Sequence, residues 1–186
     1  MTTDVIVLNG GSSSGKSSIA QRLQDLLDRP WITLAVDDLI AHLAPSMIGA
    51  APAPPGRAPL LTFGAGGAVL VEPGWEPVEA AWYQGVAAMA RAGLPVIIDE
   101  VLLAGGAGQR KLAARLDGLE VLWVGVTCDP AVAAARELCR GDRVAGMAAS
   151  QAAAVHEGVR YDVVVDTTAR PAEDCAREVL SRVRQG

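Results

Sequence analysis

The sequence lacks an apolar run long enough to cross a membrane, and it lacks the positively charged start of a secretory signal. A helix that spans a bilayer needs about 20 consecutive apolar residues. No run of that length occurs, although 51% of the 186 residues are hydrophobic. Residues 1–4 read Met-Thr-Thr-Asp and lead directly into an apolar segment. We therefore expect a cytoplasmic protein with no membrane partner.

Basic residues are also scarce, and this argues against nucleic acid as a partner. The net charge is −5, whereas broad nucleic-acid binding needs a basic face. Lysine is almost absent, because Lys16 and Lys111 stand beside fourteen arginines. Where arginine is the usual cation, the lysine at position 16 indicates a site that requires lysine.

Cysteine and histidine are too few and too scattered to indicate a metal cluster. Cys128, Cys139 and Cys175 form no Cys-x-x-Cys pair, and we expect ordinary buried thiols. His42 and His156 stand alone on helix-like segments, where a structural role is the simpler expectation.

The most informative segment is residues 10–17, which read Gly-Gly-Ser-Ser-Ser-Gly-Lys-Ser. An apolar run precedes it and a helix-like segment follows, the context in which G-x-x-x-x-G-K-[ST] marks a phosphate-binding loop. We predict that it binds ATP, with Lys16 reaching the β- and γ-phosphates and the Ser17 hydroxyl ligating Mg²⁺. The predicted nucleotide-binding residues here are Gly10, Gly11, Ser12, Ser13, Ser14, Gly15, Lys16, Ser17 and Ser18.

The rest of the chain alternates apolar strands with helices. The sequence predicts strands at 4–9, 31–36, 96–100, 119–127 and 161–166, and helices at 16–28, 76–92, 105–116, from 129–130 onward, 147–157 and 171–184. This alternation predicts one α/β domain over residues 1–186. Its expected form is a three-layer P-loop kinase fold with a five-stranded parallel sheet and helices on both faces.

Carboxylates follow two of the predicted strands, at the sheet edge where ligands of such folds gather. Asp99 is predicted to bind Mg²⁺ together with Ser17, directly or through water. Asp37 and Asp38 follow the strand at 31–36, and one can cap the next helix while the other faces the site. Both are candidate acceptor-binding residues. Asp37 is the candidate base, and Asp38 remains the alternative because a one-residue shift changes which carboxylate points inward.

Residues 45–75 differ in composition from the rest of the chain. They contain six of the eleven prolines and six glycines, so no long helix can persist there. Two short apolar runs around residues 64–67 predict a hairpin. A segment of this length is usually functional or disordered. We expect an insertion that covers the acceptor, with a mobile surface loop as the alternative.

An arginine cluster follows the helix that begins at residue 130. Arg136 and Arg140 lie four residues apart and face the same way on a helix, and Arg143 comes shortly after them. Guanidinium groups beside a turn suit a lid, residues 136–147, that closes on ATP and neutralises the transferring phosphoryl group. We predict that all three bind nucleotide and that Arg136 assists catalysis with Lys16 and Asp37. The alternative is a solvated helix face paired with Glu137 and Asp142.

With these residues in view, the chain resembles the chloramphenicol phosphotransferase family, antibiotic-resistance kinases of the P-loop fold. The resemblance implies ATP-dependent phosphorylation of a primary hydroxyl on chloramphenicol or a similar molecule. It also implies that Asp37 is the base and that the lid arginines hold the ATP phosphates. The matching segments are densest in the lid and the C-terminal part, and they cover residues 6–17, 36–37, 85–93, 97–99, 121–126, 140–148, 155–159, 161–162 and 165–168.

The resemblance fades at residues 45–75, and Ser14 and Asp38 also depart from the family pattern. The acceptor therefore stays open between chloramphenicol and another hydroxylated molecule such as a sugar, a nucleoside, a sugar nucleotide or another antibiotic. A non-catalytic nucleotide-binding module is a further alternative. A GTP-dependent switch is disfavoured, because neither lysine lies in an Asn-Lys-x-Asp motif. The sequence does not decide whether the protein forms a homo-oligomer.

Overall fold

The computed structural model of the protein describes residues 2–140 and 146–184. Five strands of these residues form a parallel sheet, and two others form a separate antiparallel hairpin. In chain order the strands are β1 (Val5–Asn9), β2 (Ile32–Ala35), β3 (Leu61–Phe63), β4 (Val69–Val71), β5 (Val96–Glu100), β6 (Val121–Thr127) and β7 (Val163–Asp166). The order across the sheet is β2-β5-β1-β6-β7, which confirms the predicted five-stranded parallel sheet.

Helices cover both faces of this sheet. They are α1 (Lys16–Leu26), α2 (Val36–Ala41), α3 (Trp75–Arg91), α4 (Gly105–Arg115), α5 (Pro130–Arg140), α6 (Met147–Gln151) and α7 (Ala172–Leu180). None of those in the described residues has both the length and the apolar character that crossing a membrane requires. The three-layer α/β architecture agrees with the prediction.

Strand β1 contributes side chains to the hydrophobic cores on both faces of the sheet. All five of its residues are buried, as expected for a central strand covered on both faces. Ile6 and Leu8 pack in one core cluster with residues of α1 and α7. Val5 and Val7 pack in a second cluster with residues of α3 and α4. The strand therefore fixes the position of the loop that follows it.

The predicted continuous helix over residues 147–157 is wrong. Its first part is α6, but Ala154–His156 forms a separate 3₁₀ turn. The turn is bonded to the central strand, because the carbonyl of Val155 accepts a hydrogen bond of 2.8 Å from the Asn9 amide. Val155 is also fully buried. These tertiary contacts outweigh the helix propensity of the alanine-rich segment.

The hairpin predicted within residues 45–75 is confirmed. Strands β3 and β4 pair with Leu61 opposite Val71 and Phe63 opposite Val69. The hairpin is anchored by a small apolar cluster in which Leu61 packs with Leu39 of α2 and Trp75 of α3. Leu61 is only 1% exposed, so the hairpin is packed in a defined position against α2 and α3.

The cysteines only partly match the expectation from the sequence. All three are unpaired. Cys175 is buried against α1 and the sheet, as predicted. Cys139 is exposed and Cys128 is half-buried, so the prediction of buried thiols is wrong for these two. Cys139 lies in α5, and Cys128 lies between β6 and α5.

Candidate active site at the carboxyl edge of the sheet

The loop between β1 and α1 has a tight backbone at two of its glycines. Gly15, at the N-cap of α1, has φ 94°, a left-handed conformation that favours glycine. At Gly10 a side chain would collide with the carbonyl oxygen of Val126 on β6. The loop therefore lies tightly against the sheet, with the amino end of α1 behind it, where a helix favours anions.

Lys16, Ser17 and Asp99 form one connected group at this loop. The Lys16 ammonium donates to the carbonyl oxygens of Gly10 and Gly11 at 2.8 and 2.9 Å. It also lies 3.8 Å from a carboxylate oxygen of Asp99. The Ser17 hydroxyl donates to the other Asp99 oxygen at 2.6 Å. A hydroxyl and a carboxylate in contact are hard oxygen donors of the type that Mg²⁺ prefers, so the residues present fit this ion.

Asp37 and Asp38 occupy different environments at the start of α2. The Asp38 carboxylate accepts a hydrogen bond of 2.7 Å from the Ala35 backbone N–H, and so it stabilises the first turn of the helix. Asp37 lines the cavity in front of the phosphate loop. Asp38 therefore makes the helix-capping contact, and Asp37 is the one of the two that lines the cavity.

A cavity of about 810 Å³ extends from the phosphate loop to the hairpin. Its volume is in the range of pockets that hold drug-sized ligands. One end is formed by the loop and Asp99. The walls come from α2, the hairpin, α3, α4 and the segment after β5, and they include Asp37, Leu61, Phe63, Val71, Trp75, Glu79, Tyr83, Glu100, Leu102 and Leu112.

Glu100, the last residue of β5, is a buried carboxyl group in this cavity. One of its oxygens accepts a hydrogen bond of 2.8 Å from the Val101 N–H. Burial raises the pKa of Glu100 to about 8. The Val101 hydrogen bond opposes this rise, whereas the nearby charge of Glu79 adds to it. At neutral pH this side chain is therefore mainly a neutral acid.

Comparison with known proteins gives this geometry a context. A family model described as chloramphenicol phosphotransferase-like protein matches residues 3–184. The chain belongs to this family. A Mycobacterium tuberculosis (strain H37Rv) protein named "Putative O-phosphotransferase Rv2636" is 32% identical over 186 residues, covering 94% of this chain and 80% of that protein.

Solved structures show the fold of this family member in other proteins. A sugar kinase from Janibacter sp. HTCC2649 superposes with a TM-score of 0.68 at 21% identity, covering 96% of this chain and 93% of its own. A gluconokinase from Sinorhizobium meliloti 1021 gives a TM-score of 0.61 at 20% identity, covering 97% and 90%. Family membership and fold together identify a kinase-type phosphotransferase.

The arginine cluster is only partly described in this phosphotransferase. The Arg136 guanidinium donates to the carbonyl and hydroxyl oxygens of Thr167 at 2.7 and 3.2 Å and to Cys128 Sγ at 3.3 Å. Arg136 is not among the residues that line the cavity. In this arrangement it braces α5 against the end of β7. Asp142, Arg143 and the side chain of Arg140 lie outside the described residues.

Glu137 is buried, so the alternative that placed it on a solvated face is wrong for this residue. Its two carboxylate oxygens accept hydrogen bonds of 2.8 Å from the N–H groups of Gly146 and Ala148. A carboxylate at the start of α6 satisfies amides that the helix leaves unpaired. The Glu137 side chain therefore connects α5, which precedes residues 141–145, to the start of α6, which follows them.

The hairpin tip touches the start of α6. A Cβ at Gly146 would lie 2.8 Å from the carbonyl oxygen of Gly66, and one at Gly67 would collide with the Met147 backbone nitrogen. Gly66, Gly67 and Gly146 also have positive φ angles. The predicted acceptor-covering insertion and the end of the predicted lid segment are therefore in direct backbone contact.

Sequence reasoning missed the residues that support the loop from behind. The Thr167 hydroxyl donates to the Ser14 carbonyl at 2.7 Å, and Gln151 Oε1 accepts from the Ser12 N–H at 2.8 Å. Asn9 Oδ1 accepts a hydrogen bond of 2.9 Å from the Leu102 N–H. Thr167 and Gln151 lie far from the loop in the sequence, whereas Asn9 directly precedes it. Asn9 and Thr167 fall within segments that match the family, but no motif assigns a supporting role to any of the three residues.

The two histidines make local contacts. His156 Nδ1 lies 2.6 Å from the Tyr161 hydroxyl, and burial lowers the pKa of His156. His42 Nδ1 lies 2.7 Å from the Asp38 carbonyl one turn earlier. Within residues 2–140 and 146–184, no group of three or more His, Cys, Asp or Glu residues is arranged to hold a metal ion.

Proposed function

We propose that this protein transfers the γ-phosphate of ATP to a hydroxyl group of a small molecule, chloramphenicol or a similar antibiotic. The observation that carries the proposal is that Asp37 and the phosphate loop line the same cavity although they follow different strands. Phosphoryl transfer requires this combination, because the attacking hydroxyl must face the γ-phosphate in line. ATP use also implies a cytoplasmic enzyme.

The loop end of the cavity would hold the nucleotide. Loop amides and the amino end of α1 would bind phosphate oxygens, with further contacts to Lys16. Lys16 now donates to loop carbonyls, and phosphates offer it stronger, charged acceptors. Ser17 and Asp99 would hold Mg²⁺, which supplies charge neutralisation at the β- and γ-phosphates.

Asp37 would orient the attacking hydroxyl and accept its proton. Its place in the cavity supports this role, whereas the Asp38 carboxylate is engaged with the Ala35 N–H. An ordinary aspartate is a weak base, so much of its contribution would be orientation of the hydroxyl. Arg136 would have to leave Thr167 before its guanidinium could contact the transferring phosphate.

The far end of the cavity favours an acceptor with an apolar body. Leu61, Phe63, Val71 and Trp75 from the insertion form much of this wall. Apolar side chains stabilise a bound ring by removing its surface from water, at about 25 cal/mol per Å². A polyol sugar would gain less from such a wall. Chloramphenicol or a comparable antibiotic therefore fits better than a simple sugar.

A coupled assay of ADP release with a panel of alcohols tests this function. We expect chloramphenicol to give ADP above background, and Asp37→Asn to reduce kcat on the order of 10²-fold without weakening ATP binding. Asp38→Asn is the matched control: its amide oxygen can still accept from the Ala35 N–H, so stability and kcat should both change little.

Three results would change the proposal. Turnover of a different alcohol, with none of chloramphenicol, would keep the kinase and replace the acceptor. Full activity of Asp37→Asn would remove Asp37 from the mechanism. ATP binding without ADP release from any alcohol in the panel would indicate a non-catalytic nucleotide-binding module.

A further inference from the structure

Two buried polar atoms of residues that line the cavity outside the phosphate loop lack a hydrogen-bond partner among the described residues. They are the second carboxyl oxygen of Glu100, Oε2, and the hydroxyl oxygen of Tyr83. Glu100 is 4% exposed and Tyr83 is 5% exposed, and both side chains line the cavity. Buried polar atoms are normally paired, and an unpaired one destabilises the folded protein.

The position of these atoms points to a ligand rather than to a packing defect. Of the five other unpaired side-chain atoms, three belong to Ser12, Ser13 and Ser14 of the phosphate loop, where a nucleotide is proposed to bind. The remaining two, Trp31 Nε1 and Thr33 Oγ1, belong to residues that do not line the cavity. Glu100 and Tyr83 lie outside this loop, on β5 and α3. The charge of Lys16 reaches Glu100, but the negative charges of Glu79 and Asp37 also act there and disfavour a phosphate group beside it. Glu100 and Tyr83 therefore belong on the acceptor side.

The two residues come from α3 and β5, which pack together in one core cluster. Tyr83 follows Glu79 by one turn of α3, and the charge of Glu79 acts on Glu100. The charge of Asp37 acts on Glu100 as well. Val101 holds one Glu100 oxygen through its N–H, so the other oxygen has a fixed direction.

We propose that Glu100 and Tyr83 bind a second hydroxyl group of the acceptor, so that the enzyme selects diols over simple alcohols. This inference rests on the proposed function, in which Asp37 receives the first hydroxyl. A hydroxyl both donates and accepts hydrogen bonds, and it can therefore pair with both side chains. A carboxylate on the acceptor would be repelled by Asp37 and Glu79, and an ammonium group would offer the Tyr83 proton no acceptor.

Matched pairs of acceptors test the proposal in the ADP-release assay. The pairs are chloramphenicol and 1-deoxychloramphenicol, adenosine and 2′,3′-dideoxyadenosine, and glucose and tetrahydropyran-2-methanol, so that each deoxy partner keeps a single hydroxyl group. In the pair that the enzyme uses best, we expect the diol or polyol to exceed its deoxy partner at least tenfold in kcat/KM, because the deoxy partner leaves buried polar atoms unpaired.

Variants connect this preference to the two residues. Tyr83→Phe removes one hydroxyl, and Glu100→Met removes the carboxyl group at similar length. Each should reduce the preference to about threefold or less, by lowering kcat/KM for the diol alone. Glu100→Gln keeps a polar group and should retain most of the preference. If Glu100→Met does not fold, Tyr83→Phe still decides.

Tyr161→Phe and Glu137→Gln are the matched controls, because both side chains bond elsewhere in the protein and neither lines the cavity. They should change kcat/KM for both members of a pair equally. Equal turnover of diol and deoxy partner by the wild-type protein, or an unchanged preference in Tyr83→Phe, would overturn the inference and leave the kinase function standing. No ADP release with any of the six compounds would contradict the proposed function itself, and the inference with it.

Discussion

Replacing Glu100 by glutamine should change how stability depends on pH. In the folded protein the pKa of Glu100 is raised to about 8, compared with 4.5 for an ordinary glutamate. Between these values the folded state binds more protons than the unfolded state, and stability falls as pH rises. The contribution of the protonated Glu100 side chain to the free energy of unfolding is therefore complete below pH 4.5. It is lost as the pH rises through about 8.

The size of this effect follows from the interval between the two pKa values. At about 1.4 kcal/mol per pH unit, a rise from 4.5 to about 8 corresponds to at most about 5 kcal/mol. The exposed fraction of Glu100 is 4%, so solvent screens little of this free-energy effect. In Glu100→Gln the amide oxygen can still accept from the Val101 N–H, but the group does not titrate.

Urea unfolding, followed by tryptophan fluorescence at pH 5, 6.5 and 8, measures the difference. EDTA should be present and nucleotide absent, so that no metal ion binds at the neighbouring Asp99. We expect similar stability for both proteins at pH 5. At pH 8 the variant should be more stable by several kcal/mol.

A second substitution separates titration from the loss of any buried glutamate. Glu137→Gln removes a carboxylate that accepts from two backbone N–H groups, and it should destabilise the protein rather than stabilise it at pH 8. Parallel stability curves for wild type and Glu100→Gln across the three pH values would refute the reasoning about Glu100.

Two further substitutions test contacts that surround the cavity. Gly67→Ala should displace the hairpin tip from Met147, and KM for the acceptor should then rise severalfold more than KM for ATP. Equal changes in the two KM values would show that the hairpin tip does not contribute to acceptor binding. Thr167→Val should cost about 1–3 kcal/mol in thermal unfolding, because the Ser14 carbonyl and the Arg136 guanidinium each lose a partner. ATP binding should weaken with it, and intact ATP affinity would contradict the support assigned to Thr167.

Much of the fold was predictable because its signals are local. The apolar run before the phosphate loop predicted β1, and alternation with helices predicted the parallel sheet. The helix predicted over 147–157 failed because the contact of Val155 with Asn9 joins residues that are far apart in the sequence. Periodicity carries no information about such a pairing.

The candidate site divides in the same way. Lys16, Ser17, Asp37 and Asp99 were proposed from a motif and from strand ends, and the geometry brings them together at one sheet edge. Arg136 was proposed from its place in an arginine cluster, and its side chain is turned toward Thr167 instead of the cavity. Helical spacing predicts the direction of a side chain, but only the packing of α5 decides its partner.

The sequence by itself determined the parallel sheet and predicted the phosphate-binding loop, because a glycine-rich loop between strand and helix acts through its own backbone. Only the tertiary structure decided which of two adjacent aspartates faces the cavity, since a hydrogen bond to Ala35 directs Asp38 away from it. It alone revealed Glu100 and Tyr83 as buried polar groups of the cavity wall. Burial and pairing are properties of the assembled layers, and no single segment contains them.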